Sequence, residues 1–146
     1  MASRSGPATV VLDTSVAIAW YLPESFGRAA RAHRDRLVAG KLRCLVPELH
    51  FWEFANVLRT YVRRGEIDAA LAQEIFDLHL DADLEVVEPD RRRVLEVALE
   101  FGATVYDAVY IELALAHDLP LLTAERTTTP WVVRLGERIL AVRDGG

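Results

Sequence analysis

Thr9-Val10-Val11-Leu12-Asp13-Thr14-Ser15 is the stretch whose reading decides the fold. Thr9 to Leu12 is short, apolar and β-branched without polar alternation, the pattern of a strand buried on both faces of a parallel sheet. It stops abruptly at a carboxylate, Asp13. Outward from there, Val16 to Leu22 has helical spacing until Pro23, and a second helix is predicted over Ser25 to Val38, with Gly40 past its end. Arg43 to Val46 is the next strand, closed by Pro47. From His50 to Arg64, Phe54, Val57, Leu58 and Tyr61 form one apolar stripe, and Gly65 ends the helix. Asp68 caps a helix to about Leu80, Glu85 to Val87 is a third strand, and Asp90 caps a helix that stops at Gly102. A helix from Tyr106 to His117 precedes the strand Leu121 to Thr123, and a last strand is expected near Ile139 to Val142.

Short strands alternating with helices imply right-handed crossovers. The predicted fold is a single α/β domain: a three-layer sandwich with a mostly parallel central sheet of four or five short strands flanked by helices. Residues 1–8 read as a loose arm, 9–143 as the domain and 144–146 as a frayed end. A chain of 146 residues buries roughly 70% of its unfolded surface on folding, enough for one core. At 51% hydrophobic and 27% charged, it lies far from the composition of disordered chains. The apolar runs are too short to cross a membrane and the first residues lack a signal-peptide core, so a cytoplasmic protein is expected. Cys44, the single cysteine, is expected to be buried.

The net charge of −5 argues against a broad basic patch as the means of gripping nucleic acid. Sixteen of the 17 cations are arginine, a bias that base composition of the genome explains. Arg28, Arg31 and Arg34 read as a solvated helix face, and so does the acidic run from Asp77 to Asp90.

In open α/β sheets, ligands bind beyond the carboxyl ends of the strands. Asp13 and Glu125 lie just past such ends, while Glu53 and Asp107 sit early in helices, so all four can converge on one sheet edge. Each has an ordinary alternative: Asp13 or Asp107 as a helix N-cap, Glu53 on the surface, Glu125 in a solvated loop. Together they repel, by about 4 kcal/mol per close pair at an effective dielectric near 20, and protonation or a divalent cation relieves this. Oxygen-only ligands favour Mg²⁺ or Mn²⁺ over zinc.

The ordered set Val10-Val11-Leu12-Asp13-Thr14-Ser15, Glu53-Phe54-Ala55-Asn56-Val57-Leu58, Tyr106-Asp107-Ala108-Val109-Tyr110-Ile111-Glu112-Leu113-Ala114 and Leu121-Leu122-Thr123-Ala124-Glu125-Arg126 resembles the PIN domain. More narrowly it is similar to the VapC toxins of toxin–antitoxin pairs. The resemblance implies a metal-dependent endoribonuclease using one or two Mg²⁺ ions (Mn²⁺ as a substitute) at Asp13, Glu53, Asp107 and Glu125. The family's last acid is most often aspartate, from which Glu125 departs. Thr14 and Thr123 match hydroxyl positions near the site, Asn56 matches the polar residue one turn after the glutamate, and Arg126 is placed to meet phosphate. Water attack leaving a 5′-phosphate, an antitoxin partner and a homodimer are further implications. Trp20, Tyr21 and Trp52 are candidate anchors for that partner, with core packing the alternative.

Competing chemistries fare worse on the residues. His50 and Glu53 have the spacing of a zinc pair, but His33, His79 and His117 lack ligand spacing. Asp13-Thr14-Ser15 has the look of an aspartic protease loop, in a chain too helical for that all-β fold. A phosphatase would want a second aspartate where Ser15 stands. The rival of a different class is a PIN-like protein-binding module whose site has decayed at Glu125.

Overall fold

Five parallel strands form the sheet of the computed structural model, which describes residues 6–143. They are β1 (Ala8–Leu12), β2 (Leu42–Val46), β3 (Leu84–Val86), β4 (Leu121–Thr123) and β5 (Ile139–Ala141), in the order β3-β2-β1-β4-β5. All four pairings are parallel, so the expected "mostly parallel" sheet is wholly so among the described residues. β1 is central because nothing in it needs water: Val10, Val11 and Leu12 are at most 3% exposed. Register matches Val11 with Leu121 and Leu12 with Leu122 on one side, and Val10 with Cys44 on the other. The strand order reverses direction at β1, between β2 and β4, which makes the carboxyl end of β1 the topological switch point.

The two faces separate cleanly. Val10, Leu12, Cys44 and Leu122 point into one core, closed by α1 (Thr14–Ile18), α2 (Gly27–Val38), α3 (Leu49–Arg63) and α4 (Ala69–Leu80). Val11 and Leu121 point into the other, closed by α5 (Arg91–Phe101), α6 (Val105–His117) and α7 (Pro130–Leu135). This period-two division is the three-layer sandwich. Cys44 is fully buried, as expected.

Several boundaries follow local chemistry. Asp68 accepts from the Leu71 N–H and Asp90 from the Arg92 N–H, each capping its helix, and Gly102 ends α5 at φ +63°, where a side chain would be strained. Other features depart from expectation. α1 stops at Ile18 and single turns carry the chain to Leu22, with the Leu22 N–H donating to the Ile18 carbonyl at 3.0 Å. β1 begins at Ala8, one residue inside the expected arm, and residues 1–5 and 144–146 of the expected arm and frayed end lie outside the described residues. α7 and the 3-10 turn Gly136–Arg138 have no counterpart in the sequence pattern, since six residues are under two turns and show little periodicity. In the acidic run, Glu85 forms a bidentate pair with Arg43 across β2 and β3 at 2.7 and 2.6 Å, and Glu88 accepts from the Glu48 N–H. Among the described residues no helix is long and apolar enough to cross a membrane.

Leu122 is fully buried where β4 meets β1. Its truncation, Leu122→Ala, is expected to lower unfolding free energy by about 3 kcal/mol, read as a reduced urea midpoint with an unchanged slope.

Candidate active site at the carboxyl edge of the sheet

Asp13 follows β1 directly and occupies the N-cap position of α1, yet its side chain makes no capping bond. The carboxylate turns to the sheet edge instead. Its Oδ2 accepts from Thr123 Oγ1 at 2.7 Å and from Ser15 Oγ at 2.9 Å, while its backbone N–H donates to the Leu122 carbonyl at 3.0 Å. Thr123, at the end of β4, is fully buried. The strand end of β4 therefore holds the carboxylate that ends β1, and the N-cap alternative for Asp13 is set aside.

Glu53 projects from the first half of α3. Its Oε1 accepts from Tyr110 Oη at 2.7 Å and from Thr14 Oγ1 at 3.1 Å. Asp107 stands in the first turn of α6, but Thr104 is the N-cap, its Oγ1 accepting the Asp107 N–H at 3.1 Å. The N-cap alternative for Asp107 is thus overturned: a hydroxyl three residues earlier takes the role.

Burial raises the pKa of Asp13, and the Glu125 charge adds to it, against hydrogen bonds from Thr123 and Ser15. Burial also raises Glu53; Asp13 and Asp107 push it further up, while Tyr110 and Thr14 pull it back. Asp107 is raised by burial first, then by Asp13 and Glu125. Asp13 is thus the hub of one electrostatically coupled set of four acids. They are not drawn into a closed cluster: among the described residues no three His, Cys, Asp or Glu side chains form a ready metal cage. Asp13 and Glu53 are each held to their own walls by hydroxyl donors.

Glu125 sits at the rim. Its N–H donates to Thr123 Oγ1, and its Oε1 accepts from the Arg126 N–H and from Thr129 Oγ1 at 3.3 Å, so the carboxylate folds into its own loop. A shallow hollow of about 380 Å³ beside it has Arg126 and Arg143 in its wall. Asn56 is exposed one turn beyond Glu53, with its backbone carbonyl accepting from Thr60. Thr14 is buried and bonded to Glu53.

Of the aromatic candidates, Trp20 belongs to the core, Tyr21 is half-buried against His79, and Trp52 alone stands out into solvent, at 62% exposure. Arg34 is tied to the Trp20 carbonyl, whereas Arg28 and Arg31 are exposed. The zinc-pair spacing of His50 and Glu53 is not realised: His50 Nε2 lies 2.9 Å from His79 Nε2, and both rings are fully buried. Sequence reasoning missed that pairing and the parts of Ser15, Thr104 and Tyr110. Tyr110 carried a readable signal, standing one helical turn after Asp107 on the same face.

Replacing Asp13 by asparagine removes a charge that burial and its neighbours disfavour. Asp13→Asn is expected to raise the melting temperature in EDTA at pH 7 by about 3 °C, from relief of roughly 1 kcal/mol. A raised folded-state pKa means that the folded protein takes up the proton more readily than the unfolded chain, so the wild type gains stability as pH falls through that pKa. The advantage of the variant should therefore shrink on acidification toward pH 4, as calorimetry over that range will show.

Residues 10–127 match the model of the PIN domain family. The chain is 32% identical over 98 residues to Exonuclease VapC9 of Pyrobaculum aerophilum, covering 67% of this chain and 74% of that protein. It is 32% identical over 121 residues to Ribonuclease VapC3 of the same organism, covering 80% and 89%. Among solved structures, PAE2754 from Pyrobaculum aerophilum superposes with a TM-score of 0.68 at 26% identity, covering 92% of this chain and 90% of that one. A toxin–antitoxin complex from Klebsiella pneumoniae shares the fold, with a TM-score of 0.62 at 14% identity over 92% and 98% of the two chains. Matched over most of its length and carrying its acids at the switch point of a parallel sheet, the chain belongs to the PIN domain family.

Proposed function

We propose that the protein is a metal-dependent endoribonuclease, the toxin of a type II toxin–antitoxin pair. The observation that carries the reading is a pair of carboxylates held by hydroxyl donors at the carboxyl end of β1, Asp13 by Thr123 and Ser15 and Glu53 by Tyr110 and Thr14. Such an arrangement is costly for folding unless a ligand neutralises it. Its likeness to Ribonuclease VapC3 supports RNA as substrate.

The donor set fits a hard divalent ion: it consists of carboxylate oxygens, with hydroxyls behind them and no thiolate or imidazole facing the edge. Asp13, Asp107 and Glu53 would hold one or two Mg²⁺ ions, with Mn²⁺ as a substitute. Bound there, the metal supplies an acidified water and charge neutralisation for the phosphate under attack. Thr123 and Ser15 aim Asp13 through its Oδ2 and favour its ionised form against burial. Glu53 is aimed by Tyr110 and Thr14. Glu125, bonded into its own loop, acts from the rim by orienting the water or holding a second ion. Arg126 contacts the phosphate backbone where the hollow meets the acids, and Asn56 lines the approach along α3.

Attack by water leaves a 5′-phosphate and a 3′-hydroxyl and makes no use of the RNA 2′-hydroxyl. The VapC resemblance adds an antitoxin covering the acidic edge, with exposed Trp52 beside Glu53 as an anchor, a homodimer and a cytoplasmic location.

The decisive assay incubates a circular and a linear single-stranded RNA with the protein in Mg²⁺ and in EDTA. Cleavage of both RNAs only in Mg²⁺, with 5′-phosphate ends, is expected. Asp13→Asn and Asp107→Asn should reduce it by about 100-fold or more, and Glu125→Gln by about 10-fold. Products ending in a 2′,3′-cyclic phosphate would overturn the hydrolytic mechanism. Equal inactivity of wild type and variants on every RNA would favour a protein-binding module instead.

A further inference from the structure

Behind Glu53 lies a feature that the proposed mechanism does not use. Five side chains from four helices and the turn after α1 form an unbroken hydrogen-bonded line through the core. It runs from Glu53 to Tyr110 Oη (2.7 Å) and Thr14 Oγ1 (3.1 Å), which are 2.8 Å from each other. His50 Nδ1 sits 3.3 Å from Thr14 Oγ1 and 3.4 Å from Tyr110 Oη. His50 Nε2 then meets His79 Nε2 at 2.9 Å, and His79 Nδ1 meets Tyr21 Oη at 2.9 Å. The His79 ring is stacked on Phe54 at 4.1 Å with 15° between planes, which fixes its orientation.

Counting protons along this line leaves one arrangement. Tyr110 donates to Glu53 Oε1 at 2.7 Å and so spends its single proton there. Thr14 then directs its own proton to Glu53 or to Tyr110, and in either case has none for His50. His50 must therefore donate from Nδ1. Burial holds the His50 pKa down near 3, with His79 adding to the effect, and holds that of His79 near 4, so each ring is neutral at pH 7 and carries one proton. With its proton on Nδ1, His50 accepts at Nε2, so His79 donates from Nε2 and accepts at Nδ1. Tyr21, whose pKa burial raises to about 12, keeps its proton and supplies that last bond.

We propose that Tyr21, His79, His50, Thr14 and Tyr110 form a hydrogen-bond chain directed toward Glu53, in which His50 and His79 are positioning residues that orient this carboxylate for the reaction. The role of Glu53 rests on the nuclease reading above, whereas the direction of the chain rests on the distances and on one proton per buried ring and hydroxyl, and is independent of that reading. Chains with every donor pointing one way reinforce each other, and groups that orient a ligand-holding side chain are worth 10–100-fold in activity or metal affinity. The two histidines are 29 residues apart in sequence and both fully buried, a placement that apolar side chains would fill more cheaply if packing were the only demand.

The test is long-range ¹H–¹⁵N NMR of the histidine rings in the full-length, metal-free protein at pH 7. The chain predicts one tautomer for each ring, with the proton on Nδ1 of His50 and on Nε2 of His79. In Glu53→Leu nothing forces the direction, and the ring nitrogens of both histidines, His79 included, should shift toward the average of the two tautomers. The opposite tautomers in the wild type, or unchanged tautomers in a folded Glu53→Leu, would overturn the proposal. In the cleavage assay, His50→Leu should lower kcat about tenfold with little change in KM, and His50→Asn, which keeps a donor near the Nδ1 position, should recover most of it. Equal kcat in the two variants would also count against it. Should the wild type cleave no RNA, the nuclease reading fails while the NMR result still decides the chain.

Discussion

The hydrogen bond from Thr123 Oγ1 to Asp13 Oδ2, at 2.7 Å, joins the ends of two adjacent parallel strands, and the site depends on it. Parallel strands finish at the same edge, so whatever follows β1 and β4 is brought together without any long loop. The hydroxyl has to be buried to reach that carboxylate, and the carboxylate needs such donors to stay charged where burial opposes it. The same logic repeats one helix away, where Tyr110 and Thr14 hold Glu53. In both places a negative charge is fixed by neutral hydroxyl donors, which orient it without cancelling it.

That distinction reconciles the acidic balance of the chain with the polyanionic substrate proposed for it. The four acids of the edge account for all but one unit of the net charge of −5. Among the described residues no arginine forms a salt bridge with any of them; the ion pairs lie elsewhere, as in Arg43 with Glu85 and Arg138 with Asp118. The edge is therefore left with uncompensated charge, and Arg126 and Arg143 stand to one side in the adjoining hollow. Under the proposed function, a divalent ion is the ligand that neutralises this edge.

Local signals were legible and nonlocal ones were not. Thr9 to Leu12 announced a buried central strand, and Asp68, Asp90 and Gly102 announced helix boundaries, because caps and αL stops depend on a few adjacent residues. Asp13, Glu53, Asp107 and Glu125 could be placed on one edge because topology alone carries strand ends there. Thr104 was missed as the cap of α6 although Thr104 and Asp107 have the three-residue spacing of a capping motif. The His50–His79 contact, and the joining of Tyr110 to Thr14 across 96 positions, leave no periodic trace, since each is created by packing α3, α4 and α6 around the end of β1. Glu125 was legible as an acid near the edge, but its attachment to Arg126 and Thr129 follows from a loop conformation that no spacing rule specifies.

The proposed function requires the carboxyl edge of the sheet to be a divalent-metal site centred on Asp13. Calorimetric titration of Mn²⁺ into the metal-free protein at pH 7 tests it most directly, because binding is measured without substrate, partner or turnover. Saturable binding of one or two ions per chain is expected, and it should disappear in Asp13→Asn while the variant stays folded. No saturable binding by the folded wild type, or an identical isotherm for the variant, would contradict it.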